Sequence, residues 1–167
     1  MAYSIKGIIF IICALAVTVY LIVAAIEDAK SMKVTRGKHL IGLIPEIATW
    51  LLYARERNIY DLGIVILFVC IWMLCGWIGV YGMADGFVFA NLTLFWGGIG
   101  GVAGVGMVIL IMVLAGFSGM VEILVRKLAT VRNFGENRKI AFVPHIFGGY
   151  VVVIITVIQI FHVCLRG

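Results

Sequence analysis

Charge is scarce in this chain. Of its 167 residues, only 13% are Asp, Glu, Lys or Arg, while 64% are hydrophobic. Soluble domains carry about 25% charged and about 45–50% apolar residues, so a chain this short of polar side chains cannot cover itself in water. A free globular enzyme is excluded. The lipid bilayer becomes the solvent, and the expected organisation is a single all-α polytopic transmembrane bundle over residues 1–167, with no soluble domain. Paired cysteines are also lacking. Cys13, Cys70, Cys75 and Cys164 each sit singly in an apolar run. That argues against CxxC zinc or dithiol sites and leaves them as small buried hydrophobes. No HExxH motif occurs, and no glycine-rich stretch is followed by G-K-[ST], so no metal or cofactor is expected.

What charge there is has a pattern. The net charge is +5, and nine of the thirteen Lys and Arg residues fall in two clusters: Lys30, Lys33, Arg36, Lys38, and Arg126, Lys127, Arg132, Arg138, Lys139. Short basic loops stay on the cytoplasmic side during insertion. The clusters therefore read as topology signals rather than a nucleic-acid surface.

The apolar runs set the spans. The first, Gly7 to Ile26, is longer than the ~7–15 residues of a signal-peptide core. It reads as a retained helix over about 5–26 that ends at Glu27 and Asp28, since about 20 residues cross a ~30 Å hydrocarbon core. A short second helix over about 40–54 contains Pro45 and Glu46, and a third runs over about 62–81. The uncharged stretch Phe87 to Val121 would be ~52 Å long as one helix. The glycines Gly97, Gly98, Gly100 and Gly101 should break it into helices of about 86–97 and 101–124, and also offer small-xxx-small packing. A last helix covers about 140–165. Six crossings put both basic loops inside and both termini outside.

This topology places two carboxylates at one depth. Asp28 ends the first helix and Asp85 lies between the third and fourth, 57 residues apart, both at the cytoplasmic edge. Two close carboxylates cannot both ionise cheaply and share a proton. The charged one then activates water as general base. The protonated one hydrogen-bonds a scissile carbonyl and protonates the leaving amine. Asp85, with Gly82 and Gly86 around it and apolar neighbours, should have its charged form disfavoured, while Lys30 and Lys33 favour charge on Asp28. The glycines permit turns and close backbone approach.

At these residues the chain resembles the type IV prepilin peptidases, which include the preflagellin peptidases. That family has an Asp after its first helix in a pattern like D-x5-(I/V)-(P/S)-N. Asp28-Ala29-Lys30-Ser31-Met32-Lys33-Val34-Thr35 matches at Asp28 and Val34, with Thr35 for Pro or Ser and Arg36 for Asn. The second Asp lies in G-x-G-D or G-x-A-D, here Gly82-Met83-Ala84-Asp85. A late K-I-P-F-G-P-F-I stretch is matched at Lys139, Ile140, Phe142, Pro144 and Ile146, and departs at Ala141, Val143 and His145. The resemblance implies a six-helix membrane aspartic endopeptidase in a plasma or inner membrane. Asp28 and Asp85 would be catalytic, with Gly82, Ala84 and Gly86 as supporting motif and Lys30, Lys139 and Pro144 near substrate. The substrate would be the leader of type IV pilin-like precursors, cut at the cytoplasmic face. Larger members add an amino-terminal region with paired cysteines for methylation. This chain has neither, and peptidase activity without methyltransferase activity is expected.

Other polar residues receive plainer readings. Glu46 reads as a polar contact within the bundle and Glu122 as an i,i+4 partner of Arg126. His39 and His145 could assist binding or tune the acidic pair, but interfacial histidines are commoner, and they stay outside the catalytic set. Asn91-Leu92-Thr93 matches a glycosylation pattern but lies in an apolar helix, and is expected to be chance. Trp72, Trp77, Trp96, Tyr60 and Tyr81 suggest interfacial belts. Two rival readings remain. One is a small transporter whose Asp28, Glu46 and Asp85 line a proton or cation path. The other is an inactive peptidase-like scaffold in pilus assembly.

Overall fold

A computed structural model describes residues 5–53, 58–129 and 140–164. They form six helices: α1 (Ile5–Ser31), α2 (Arg36–Tyr53), α3 (Ile59–Trp77), α4 (Met83–Gly100), α5 (Val102–Ala129) and α6 (Val143–Cys164). Among the described residues there is no strand. Four of the six, α1, α3, α5 and α6, are long and apolar enough to cross a membrane. The chain is an all-α membrane bundle.

Consecutive helices alternate in direction. At one end of the bundle the close of α1 meets the start of α2 through Glu27 and Lys38, 2.8 Å apart. There too the close of α5 meets the start of α6 through Glu122 and His145, 2.7 Å apart. At the opposite end Lys6 lies over the Tyr53 ring, and Asp61 of α3 accepts a hydrogen bond from the Val102 amide that opens α5. Asp61 also caps its own helix with Asn58, whose side chain accepts from the Asp61 amide, as expected for a polar pair at a helix start.

α4 is the central helix and packs on α2, α3 and α5, with a lighter contact to α6. Val88, Phe89, Leu92, Phe95 and Trp96 are buried along it, so nearly every face of this helix meets protein rather than lipid. On the surrounding helices Ile, Leu and Val side chains remain exposed in numbers that only an apolar solvent tolerates. α1 presents a buried stripe of Val17, Leu21, Ala24 and Asp28, spaced four, three and four residues as one helical face requires.

Several boundaries differ from those the hydropathy pattern suggests. α1 does not stop at residue 26. Nothing from Glu27 to Ser31 breaks a helix, and it closes only where Met32, at φ 54, returns its amide to the Asp28 carbonyl. Asp28 is therefore inside the helix. α2 begins at Arg36 rather than about 40. α3 ends at Trp77 rather than 81, because a turn with Gly79 at φ 81 follows. α4 begins at Met83, ahead of 86, and α6 at Val143 rather than 140. The break in the long uncharged stretch is at Gly101, at φ 56. Trp72 and Trp96 are buried, not interfacial; Trp72 donates to the Thr93 hydroxyl. Tyr60 and Trp77, at the two ends of α3, are exposed.

The α4–α5 contact depends on one close backbone approach. A Cβ at Gly104 would collide with the Trp96 carbonyl, whereas at Gly106 it would meet nothing within 4 Å. Gly104→Ala should therefore cost about 1–3 kcal/mol or more. Gly106→Ala should be neutral or stabilise by up to about 1 kcal/mol. Thermal unfolding in detergent micelles measures both, and equal midpoints for the two variants would contradict this packing.

Candidate active site

The end of the bundle that gathers the starts of α2, α4 and α6 encloses a cleft of about 650 Å³, a size typical of small-molecule and peptide sites. Asp28, near the end of α1, and Asp85, in the first turn of α4, both line it. They are only 6% and 7% exposed. The apolar stretch of α4 starts at Phe87, so Asp85 sits at the rim, outside the four membrane-crossing helices.

Each carboxylate is held by a backbone amide at a helix start. Gly82 N–H donates to Asp85 Oδ2 at 3.1 Å. Asp85 thus occupies the third position of α4, where an acid complements the helix dipole. Val143 N–H donates to Asp28 Oδ2 at 3.1 Å across 115 residues of sequence. Val143 is the first residue of α6, whose first amides have no partner within the helix; Asp28 satisfies one of them from another helix. Burial first, then the negative charge of Asp28, push the Asp85 carboxyl up to about 7, against the opposing Gly82 amide. Both carboxylates thus face the same cleft.

The flanking glycines have distinct tasks. A Cβ at Gly82 would approach Asp85 Oδ2 to 2.9 Å, and one at Gly86 would approach the Trp72 carbonyl to 2.9 Å. The first leaves room for the carboxylate beside its own cap, and the second lets α4 lie against α3. Ala84 lines the cleft. The α1–α2 turn is tied down by Glu27, which accepts from the Thr35 amide at 3.1 Å and the Thr35 hydroxyl at 2.5 Å and pairs with Lys38. Lys33 and Val34 of this turn face the same cleft.

Not every residue proposed from the sequence is brought here. Lys30 is exposed on α1 and is not part of the cleft wall. Pro144 is half-buried in the first turn of α6; from that segment Ile140 and Phe142 line the cleft instead. Lys139 lies outside the described residues. Glu122 does pair with Arg126, as its spacing suggests, and it also meets His145, whose Nδ1 contacts the Ser118 hydroxyl at 2.9 Å. This cluster fixes α6 against α5. Among the described residues, no group of three or more His, Cys, Asp and Glu side chains is arranged to hold a metal ion.

His39, read from the sequence as interfacial, is instead buried at 3% exposure and lines the cleft. Sequence reasoning missed Asn91, which is buried and donates to the His39 carbonyl at 3.1 Å. The available signal was Asn91 itself, since an amide in an apolar helix needs a partner on a neighbouring helix. Comparison with protein-family models, curated proteins and solved structures finds no match for this chain.

The raised Asp85 carboxyl has a consequence for stability. A carboxyl whose folded pKa lies above its unfolded value binds more protons when folded, so stability falls as pH rises between the two values. For Asp85 that window runs from 3.8 to about 7. Asp85→Asn should then raise the thermal midpoint at pH 8, by an amount equivalent to a few kcal/mol, and much less at pH 4. A midpoint difference that does not change with pH would refute this account of the site.

Proposed function

We propose that this chain is a membrane aspartic endopeptidase of the type IV prepilin peptidase kind. The observation that carries the reading is that carboxylates from two helices, Asp28 and Asp85, line one cleft at the same end of the bundle. The motif resemblance around Asp28, Asp85 and the start of α6 supports it independently. In this reading all six helices cross the membrane; α4 is enclosed by its neighbours, while α2 turns Leu40, Ile44, Ile47 and Leu51 outward toward lipid.

The chemistry follows from the pair. At neutral pH the two sites share one proton, because ionising both at close range is costly. Asp85, with its raised pKa, holds that proton and donates a hydrogen bond to the scissile carbonyl. Asp28 accepts a proton from the attacking water. On collapse of the tetrahedral intermediate the C–N bond breaks, Asp85 protonates the leaving amine, and the proton that Asp28 took from water passes to Asp85, which restores the pair. The pair titrates as a unit, so its pH profile belongs to both residues.

The substrate is the leader of a type IV pilin-like precursor. Its hydrophobic segment lies in the bilayer beside the exposed apolar faces of the bundle, and its leader enters the cleft. The cytoplasmic side is the cleft side. Lys30, Lys33 and Lys38 of the first basic cluster and Arg126 and Lys127 of the second all belong to that end, as short basic loops on the inner face require.

A second reading draws on Glu46. It is 1% exposed in mid-helix, and its Oε2 has no hydrogen-bond partner. A buried acid at membrane depth is what a proton or cation path would use.

Co-expression with type IV prepilin-like precursors, read as a mobility shift, separates the two. Asp28→Asn and Asp85→Asn should each slow processing by at least about a hundredfold while the protein remains folded in the membrane. Glu46→Gln should leave processing near wild type. Processing that survives either Asp change would end the peptidase reading. Proton or cation flux in proteoliposomes that is lost in Glu46→Gln would favour the second.

A further inference from the structure

A buried polar relay runs from the interior of the bundle to the cleft wall. Asn91 of α4 has two amide hydrogens to give. Its side chain donates one of them to the His39 carbonyl, at 3.1 Å. Tyr20 Oη in turn lies 2.8 Å from His39 Nδ1. The His39 ring stacks on Phe87, with centroids 4.9 Å apart and planes 20° apart. The relay fits because α2 has a glycine beside it: a Cβ at Gly42 would come within 2.7 Å of Asn91 Nδ2 and 3.3 Å of the Tyr20 ring.

This arrangement fixes the tautomer of His39. Tyr20 is buried and its hydroxyl lies within reach of the His39 Nδ1 acceptor, so the hydroxyl hydrogen is placed on that contact, as a buried donor must be paired. With Nδ1 accepting, the hydrogen of the neutral ring is on Nε2. That nitrogen is buried and has no partner in the protein. Buried donors are nearly always paired, and an orphan on a ring that lines a cleft is a place for a ligand's acceptor.

We infer that His39 is a substrate-binding residue. Its Nε2–H donates a hydrogen bond to a backbone carbonyl of an extended peptide lying in the cleft with Asp28 and Asp85. The inference rests on the peptidase reading for the kind of ligand, but not for the geometry. A peptide reaches the ring by displacing cleft side chains. Met32 and Met83 line the same cavity, and their unbranched side chains give way readily. Tyr20 does not touch the peptide; it is a positioning residue that sets which nitrogen carries the hydrogen, while Asn91 holds the His39 backbone.

The test uses the full chain in detergent micelles carrying Asp85→Asn, so that the probe is not cut. The probe is a fluorescent synthetic peptide spanning a type IV prepilin leader and the residues just after it, read by anisotropy. Adding His39→Phe keeps the stacking on Phe87 and removes the donor. It should raise Kd about tenfold, as loss of one hydrogen bond does. His39→Gln places an amide N–H near the Nε2 position and should return Kd to within about threefold of the parent. Tyr20→Phe leaves the ring in place but frees its tautomer, and should weaken binding by an intermediate factor. Thermal midpoints verify that each variant is folded, and if His39→Phe does not fold, Tyr20→Phe carries the test. Unchanged Kd in His39→Phe or Tyr20→Phe, a Gln variant as weak as Phe, or no binding by the parent overturns the inference. Cleavage by Asp85→Asn would instead overturn the peptidase reading and leave the His39 comparison standing.

Discussion

Two carboxylates are buried together in a chain with little charge to spare, and much of the architecture answers that constraint. An isolated buried charge is too costly to keep, and such a group either finds donors or takes up a proton. Asp28 and Asp85 find backbone donors at the starts of α6 and α4. The starts of those helices would otherwise carry unsatisfied amides at the membrane rim. Two liabilities, exposed amides and buried acids, cancel each other. The Val143–Asp28 bond also joins parts of the chain 115 residues apart, so the site exists only once α6 has docked on α1.

In a bilayer the hydrophobic effect does little to choose among helix arrangements, because lipid tails are as apolar as leucine. Specificity must come from close backbone contact and from polar links. Both occur around α4. Gly104 admits the Trp96 backbone, and Gly86 admits that of Trp72. Trp50 donates to the Leu94 carbonyl, Trp72 to Thr93, and Asn91 to His39. α4 is thereby pinned to α2 and α3 by hydrogen bonds from both sides, and the position of Asp85 is inherited from that helix. A rigid helix is a better support for a reacting group than a loop.

The membrane class, the six helices and the placement of Asp28 and Asp85 at one end of the bundle were legible because each rests on one-dimensional quantities: run length, charge placement and the order of the helices. What failed to show depended on neighbours. Hydropathy marks where lipid ends, not where a helix ends, so α1 carries on five residues past its apolar run and takes Asp28 with it. An apolar window looks the same whether it faces lipid or protein, so Trp72 and Trp96 read as interfacial though both are buried. Thr35 departs from the family pattern, yet it serves the local turn by donating to Glu27 through both amide and hydroxyl. His39 and Asn91 acquire meaning only from each other, across 52 residues, and no spacing rule connects them.

Burial separates the polar groups into two sets. Thr49, Asn91, Tyr20, His39, Asp28 and Asp85 are all buried, whereas Glu27, Lys38 and Thr35 close the α1–α2 turn where water is available. Hydrogen bonds strengthen as water is excluded, so the bonds that hold the two acids at the starts of α4 and α6 are more firmly fixed than those of the turn. The turn can therefore adapt at the mouth of the cleft without loosening the helix ends that set the positions of Asp28 and Asp85.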